Sequence, residues 1–133
     1  MKLIAGVDEV GRGSLVGPVY AAAVILNHSI NKKLLKDSKK LSKKRREILA
    51  QYIKKNSTWS IAKASISEIE KKNILQASLI AMKRAILKLK KKPSIVFIDG
   101  NKLPQYYKLK FIIKGDQKIP SISAASILSL IHI

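Results

Sequence analysis

The feature that most constrains this chain is a pair of short apolar runs, far apart in sequence, that each end in carboxylates. Leu3 to Glu9 reads as a short buried strand and delivers Asp8 and Glu9. Ile95-Val96-Phe97-Ile98 is a continuous apolar run of the kind found in fully buried strands, and it delivers Asp99-Gly100 at its carboxyl end. Open α/β folds place ligands at the carboxyl ends of neighbouring strands, so these three acids can converge although about ninety residues lie between them. Between and after the two runs, strand and helix patterns alternate, which predicts an α/β sheet.

The intervening segments fill in that frame. Val19 to Leu26 is β-branched and alanine-rich, and a short connection after Gly17-Pro18 makes it the hairpin-like partner of the first strand. Asn27 to Asp37 reads as a polar loop. Ser42 is a good N-cap for an amphipathic helix over Lys43 to Lys54, where Ile48, Leu49, Tyr52 and Ile53 recur at helical spacing. Thr58 to Ile66 is a weakly patterned strand. Ser67 and Glu70 have the spacing of a capping box, and after them Leu75, Leu79, Met82, Ile86 and Leu89 form one apolar stripe, which is core packing. Lys88 to Lys92 is read as a solvated helix end favoured by the helix dipole, with a phosphate patch as the alternative. Lys108 to Lys114 predicts another strand and Ser121 to Ile131 a final helix after Pro120. No repeat or linker interrupts the pattern, so residues 1–133 are expected to form a single domain, and a monomer.

Composition limits the chemistry. There is no cysteine, which excludes disulfides and thiolate metal sites, so a metal would be held by oxygen ligands, with His28 and His132 as the only imidazoles. A reducing, cytoplasmic setting is expected. The longest apolar stretch, Val19 to Leu26, is too short to span a bilayer, and the reading includes neither signal peptide nor membrane anchor. Lys and Arg number 27 against 8 Asp and Glu, a formal charge of +19. Such an excess suits a polyanionic partner, because each neutralised phosphate releases counterions. Yet 23 of the 27 are lysine, which an A/T-biased genome enriches without any selection for binding. Charge alone does not decide between the two.

Asp8, Glu9 and Asp99 supply the oxygen-only donors that Mg²⁺ and Mn²⁺ require, although carboxylates in so basic a chain also serve as salt-bridge partners. Adjacent residues on a regular strand point to opposite faces, so Asp8 and Glu9 reach one ion only if the strand ends or twists there. Gly11-Arg12-Gly13 permits that path. For Asp99-Gly100 the alternative is an ordinary Asp-Gly turn.

Six ordered blocks resemble one family. They are Gly6-Val-Asp8-Glu9-Val-Gly11-Arg12-Gly13-Ser-Leu-Val-Gly17-Pro18-Val, Asp37-Ser38-Lys39-Lys40-Leu41-Ser42, Asn73-Ile-Leu-Gln-Ala77-Ser, Ile98-Asp99-Gly100-Asn101, Lys114-Gly115-Asp116 and Ala124-Ala125-Ser126-Ile127. In order and spacing they are similar to the signature blocks of ribonuclease HII, over residues 4 to about 128. The resemblance implies a ribonuclease H-like fold, a mixed β-sheet flanked by helices. It also implies an endonuclease that hydrolyses the RNA strand of RNA/DNA hybrids and cuts at ribonucleotides in duplex DNA, using Mn²⁺ or Mg²⁺. Asp8, Glu9 and Asp99 would be the metal ligands and catalytic carboxylates. Gly11, Arg12 and Gly13 would read the ribose 2′-hydroxyl, and Lys39 would contact a phosphate. In-line attack of a metal-activated water would leave 5′-phosphate and 3′-hydroxyl ends.

Beyond Leu128 the chain departs from the family pattern, reading Ser129-Leu130-Ile131-His132-Ile133 where a lysine-containing helix and an Arg-Asp pair are expected. A fourth catalytic carboxylate would fall past this point. Asp116 matches its own block and does not replace it. The expectation is a domain lacking the family's C-terminal helices, with apolar surface exposed and a final helix short of support. Two further readings stand beside catalysis. One is a catalytically impaired, basic nucleic-acid-binding remnant, and the other is the product of a broken gene.

Overall fold

In the computed structural model the described residues are 3–10, 17–35, 41–99, 109–112 and 119–130. Strand β1 (Ile4–Val10) buries Ala5, Gly6 and Val7 completely enough to form the centre of the sheet. It pairs antiparallel with β2 (Val19–Leu26), from Gly6↔Val24 to Val10↔Tyr20, as the short connection predicts. β2 in turn pairs antiparallel with β3 (Ser57–Ala64). On the other side β1 pairs parallel with β4 (Ile95–Asp99), and β4 parallel with β5 (Leu109–Ile112). The result is a five-stranded mixed sheet of order β3-β2-β1-β4-β5.

Among the described residues four helices cover it: α1 (Lys43–Lys55), α2 (Ile66–Lys72), α3 (Ile74–Lys88) and α4 (Pro120–Leu130). A 3-10 turn at Lys32–Leu35 lies inside the segment read as loop, and it buries Leu35. The strand alternation sorts the core into two layers. Ala5, Val7, Ala21 and Ala23 pack with Met82, Ala85 and Ile86 of α3 and with Leu89, its C-cap. Ala22 and Val24 pack on the opposite face with Leu49, Ala50 and Ile53 of α1 and Ala124, Ala125, Ile127 and Leu128 of α4. The stripe assigned to core packing therefore does pack, at Met82, Ile86 and Leu89, with Leu79 partly buried against them.

Two helix boundaries differ from the sequence reading. The capping box is formed by Ser65 and Glu68, not Ser67 and Glu70: Glu68 N donates to Ser65 Oγ at 3.2 Å and Ser65 N to Glu68 Oε1 at 3.0 Å. Because β3 ends at Ala64, the earlier of two equally spaced Ser/Glu pairs meets the chain where it turns. The region is also broken in two at Asn73, which ends α2 and caps α3 by accepting Gln76 N on Oδ1 at 2.9 Å. Asn73 has φ 113°, a conformation that favours glycine.

The final helix does not lack support. Every residue from Ser121 to Ser129 is at most 6 % exposed. Its approach to the sheet depends on Gly6, where a Cβ would overlap the backbone of Ser121 and Ile122. Glycine in a strand interior commonly marks such a close approach.

Candidate active site

The direct consequence of the β1–β4 pairing is chemical. Their parallel register runs Ile4↔Ile95, Ala5↔Val96, Gly6↔Phe97 and Val7↔Ile98. Asp8 and Asp99 each follow the last of these pairs by one residue, so two carboxylate-bearing positions from distant parts of the chain stand next to each other at the same ends of neighbouring strands. Glu9 is one step further along β1. For Asp8 and Asp99 the adjacency of the two backbone positions is thus a property of the strand pairing.

Asp8 and Glu9 are both partly buried, and Asp8 Oδ1 accepts the Glu9 N–H at 2.8 Å. β1 does not end at Glu9. It stays in register with β2 through Asp8↔Ala22, Glu9↔Ala21 and Val10↔Tyr20. Strand alternation places Asp8 on the face of Gly6, which carries α4, and Glu9 on the face of Val7, which carries α3. An ion held by both would therefore not rest against a single face of the sheet. The chemistry of the set fits a hard divalent cation: carboxylate oxygens only, with no thiolate in the chain. Among the described residues no group of three or more His, Asp or Glu side chains is placed to hold a metal. Gly11, Arg12, Gly13 and Lys39 lie outside the described residues, as do Gly100, Asp116 and His132.

A charged pair joins the neighbouring helices. Arg84 of α3 holds Glu68 of α2 with two short contacts, 2.7 and 2.6 Å, and donates a third hydrogen bond to the Lys63 carbonyl at 2.9 Å. This bidentate geometry, with the Ser65 amide, holds the Glu68 carboxyl down at about 2. It ties α2, α3 and the end of β3 together. Two open cavities, of about 690 Å³ beside Lys63, Arg84 and Lys88 and about 430 Å³ beside His28, Phe97 and Pro120, include neither Asp8 nor Glu9 in their walls. Gly6 is the residue the sequence reading passed over. Its signal was available, a lone glycine inside an apolar strand two residues before Asp8, and its role is to let α4 rest against β1.

Comparison with known proteins agrees with this arrangement. A profile described as Ribonuclease HII matches residues 5–131. The chain is 75 % identical over 131 residues to ribonuclease HII of Pelagibacter ubique, covering 97 % of this chain and 70 % of that protein. It is 51 % identical to ribonuclease HII of Neisseria meningitidis serogroup B, over 96 % of this chain and 67 % of that one. Among solved structures, the PCNA:RNase HII complex from Archaeoglobus fulgidus superposes with a TM-score of 0.82 at 31 % identity, covering 98 % of this chain and 72 % of the matched chain. With acids at the ends of paired parallel strands, a five-stranded mixed sheet, and a match running nearly end to end, the chain belongs to the ribonuclease HII family of hydrolytic ribonucleases H.

Proposed function

We propose that this chain hydrolyses the RNA strand of RNA/DNA hybrids and cuts at single ribonucleotides in duplex DNA, with Asp8, Glu9 and Asp99 holding Mg²⁺ or Mn²⁺. The observation that carries the reading is the β1–β4 register, which sets Asp8 beside Asp99 at the carboxyl ends of adjacent parallel strands. A divalent ion there stabilises negative charge on the attacking and leaving oxygens of the phosphodiester. The protein's own part is positional. Asp8 is held by its bond from Glu9 N, and β1 is fixed between β2 and β4, so the carboxylates are presented by rigid strands. Gly11, Arg12 and Gly13 directly follow β1 in sequence, where they read the ribose 2′-hydroxyl, the group that separates RNA from DNA at one site. Lys39 contacts a substrate phosphate. The chain works as a single-domain monomer in the cytoplasm, and among the described residues no helix is long and apolar enough to cross a membrane.

The test is incision of a labelled DNA duplex carrying one ribonucleotide, with Mn²⁺, Mg²⁺ or EDTA. Metal-dependent cutting with 5′-phosphate products, lost by at least about a hundredfold in Asp8→Asn, is the expected result, since removing one preorganised electrostatic contribution to transition-state stabilisation typically costs about 10²–10³ in rate. No incision by folded protein in any metal would leave the competing reading, a basic nucleic-acid-binding remnant without catalysis.

A further inference from the structure

Helix α1 opens with four consecutive cations, Lys43, Lys44, Arg45 and Arg46, and has no acid in its first turn. That order runs against the helix dipole, which favours acids at this end and cations at the other. Lys43, Lys44 and Arg45 are exposed and Arg46 is partly buried. Among the described residues none of the four side chains has a hydrogen-bonding or ionic partner, whereas Arg84 is held by Glu68. Ser42 already caps the helix by accepting Arg45 N at 3.2 Å, so the backbone N–H groups are not the feature of interest.

Topology says where this cluster sits. α1 leads through Asn56 into β3 at Ser57, opposite Leu26 of β2, and Asn27 N donates to Asn56 O at 3.0 Å. That is the end of the sheet at which β1 and β4 begin, since Ser94 N donates to Leu3 O at 2.8 Å. Leu49, Ala50 and Ile53 belong to the buried cluster that also holds Ala22 and Val24, and α1 packs against α4 and β3, so α1 lies against this face of the sheet. Thirteen residues span about 20 Å. Its first turn therefore lies toward the opposite end, where β1 delivers Asp8 and Glu9 and β4 delivers Asp99.

We infer that Lys43, Lys44, Arg45 and Arg46 form a phosphate-backbone contact surface that seats the nucleic-acid duplex at the carboxylate end of the sheet. The inference rests on the proposed function for the identity of the polyanion, but it is tested by binding rather than by cleavage. Helix stability is given up at the first turn for charge directed at a substrate.

The experiment measures affinity for a fluorescent RNA/DNA duplex by anisotropy across a salt series in EDTA, and cleavage separately. One variant is Lys43→Gln, Lys44→Gln, Arg45→Gln and Arg46→Gln together. The other removes the same charge from exposed positions at the far end of the sheet: Lys55→Gln, Lys90→Gln, Lys91→Gln and Lys92→Gln. The first is expected to flatten the slope of log affinity against log salt by roughly 2 to 4, because each phosphate contact contributes about 0.9. The second is expected to change it by less than about 1. The first variant should also melt higher than the parent chain, and where cleavage is measurable it should raise KM and leave kcat unchanged. Equal slope changes in the two variants, or none in the first, overturn the inference whether or not the protein cuts. A wild-type chain that binds with the expected slope pattern but does not cut would sink the proposed catalysis and leave this surface standing.

Discussion

At Gly6 the requirement is spatial. The residue has no side chain because the first turn of α4 occupies that volume, and a methyl group there meets backbone, which does not rotate away. Gly6→Ala is therefore expected to destabilise the fold by about 1–3 kcal/mol, the usual range for overpacking, read as a lower midpoint in urea unfolding. An unchanged midpoint would mean that α4 does not rest on β1 as described. Glu68 makes a prediction of a different kind. Its carboxyl sits at about 2, below the ordinary 4.5, chiefly because of the hydrogen bonds from Arg84 and then because of the Ser65 amide. A depressed carboxyl stabilises the fold above its unfolded pKa and loses that contribution as pH falls through the folded one. The effect is thus complete above pH 4.5 and disappears between about 4.5 and 2. Glu68→Gln should flatten the acid limb of the stability profile in that window and leave its shape at neutral pH unchanged. An acid limb as steep as that of the parent chain would assign the loss to other groups.

Between α2 and α3 a single residue does two jobs under strain. Asn73 ends one helix, caps the next, and adopts φ 113°, where an asparagine side chain is costly and a glycine is not. Replacing it with glycine gives up the bond to Gln76 N, a few tenths of a kcal/mol, and relieves more than that. Asn73→Gly is expected to stabilise by about 1 kcal/mol and Asn73→Ala to destabilise by a similar amount, both read from thermal melts. Opposite signs would show that the junction is not strained. This junction also shows what the sequence withheld. The stripe from Leu79 through Met82 and Ile86 to Leu89 was legible because one face of α3 is buried and the periodicity follows from that. The break at Asn73 was not, since a cap in the middle of a helical pattern looks like any polar residue. The capping box was misplaced by two residues because Ser65/Glu68 and Ser67/Glu70 share one spacing, and the choice is made by where β3 ends. α4 is buried all round at Ser121 to Ser129, so it has no polar face to announce its support.

On the scale of the whole molecule, the sheet was readable from its apolar runs, and with it the adjacency of the Asp8 and Asp99 positions, because parallel pairing of β1 and β4 sets those two backbone positions side by side. What alternation alone could not settle was how Asp8 and Glu9 serve one ion. The regular pairing of β1 through Val10 sets the two positions on opposite faces of the sheet. The net charge of +19 has the same two-sided character. Charge alone leaves a polyanionic partner and a lysine-biased composition both open, and the α1 surface inferred above names particular cations that a polyanion would meet. If carboxylates on β1 and β4 form a single metal site, as proposed, Mn²⁺ binding followed by calorimetry and electron paramagnetic resonance reads that site independently of cleavage. Compared with the wild-type chain, Asp8→Asn and Asp99→Asn are each expected to weaken the same binding event by at least about tenfold while the fold is kept. Full Mn²⁺ affinity in either folded variant would contradict it.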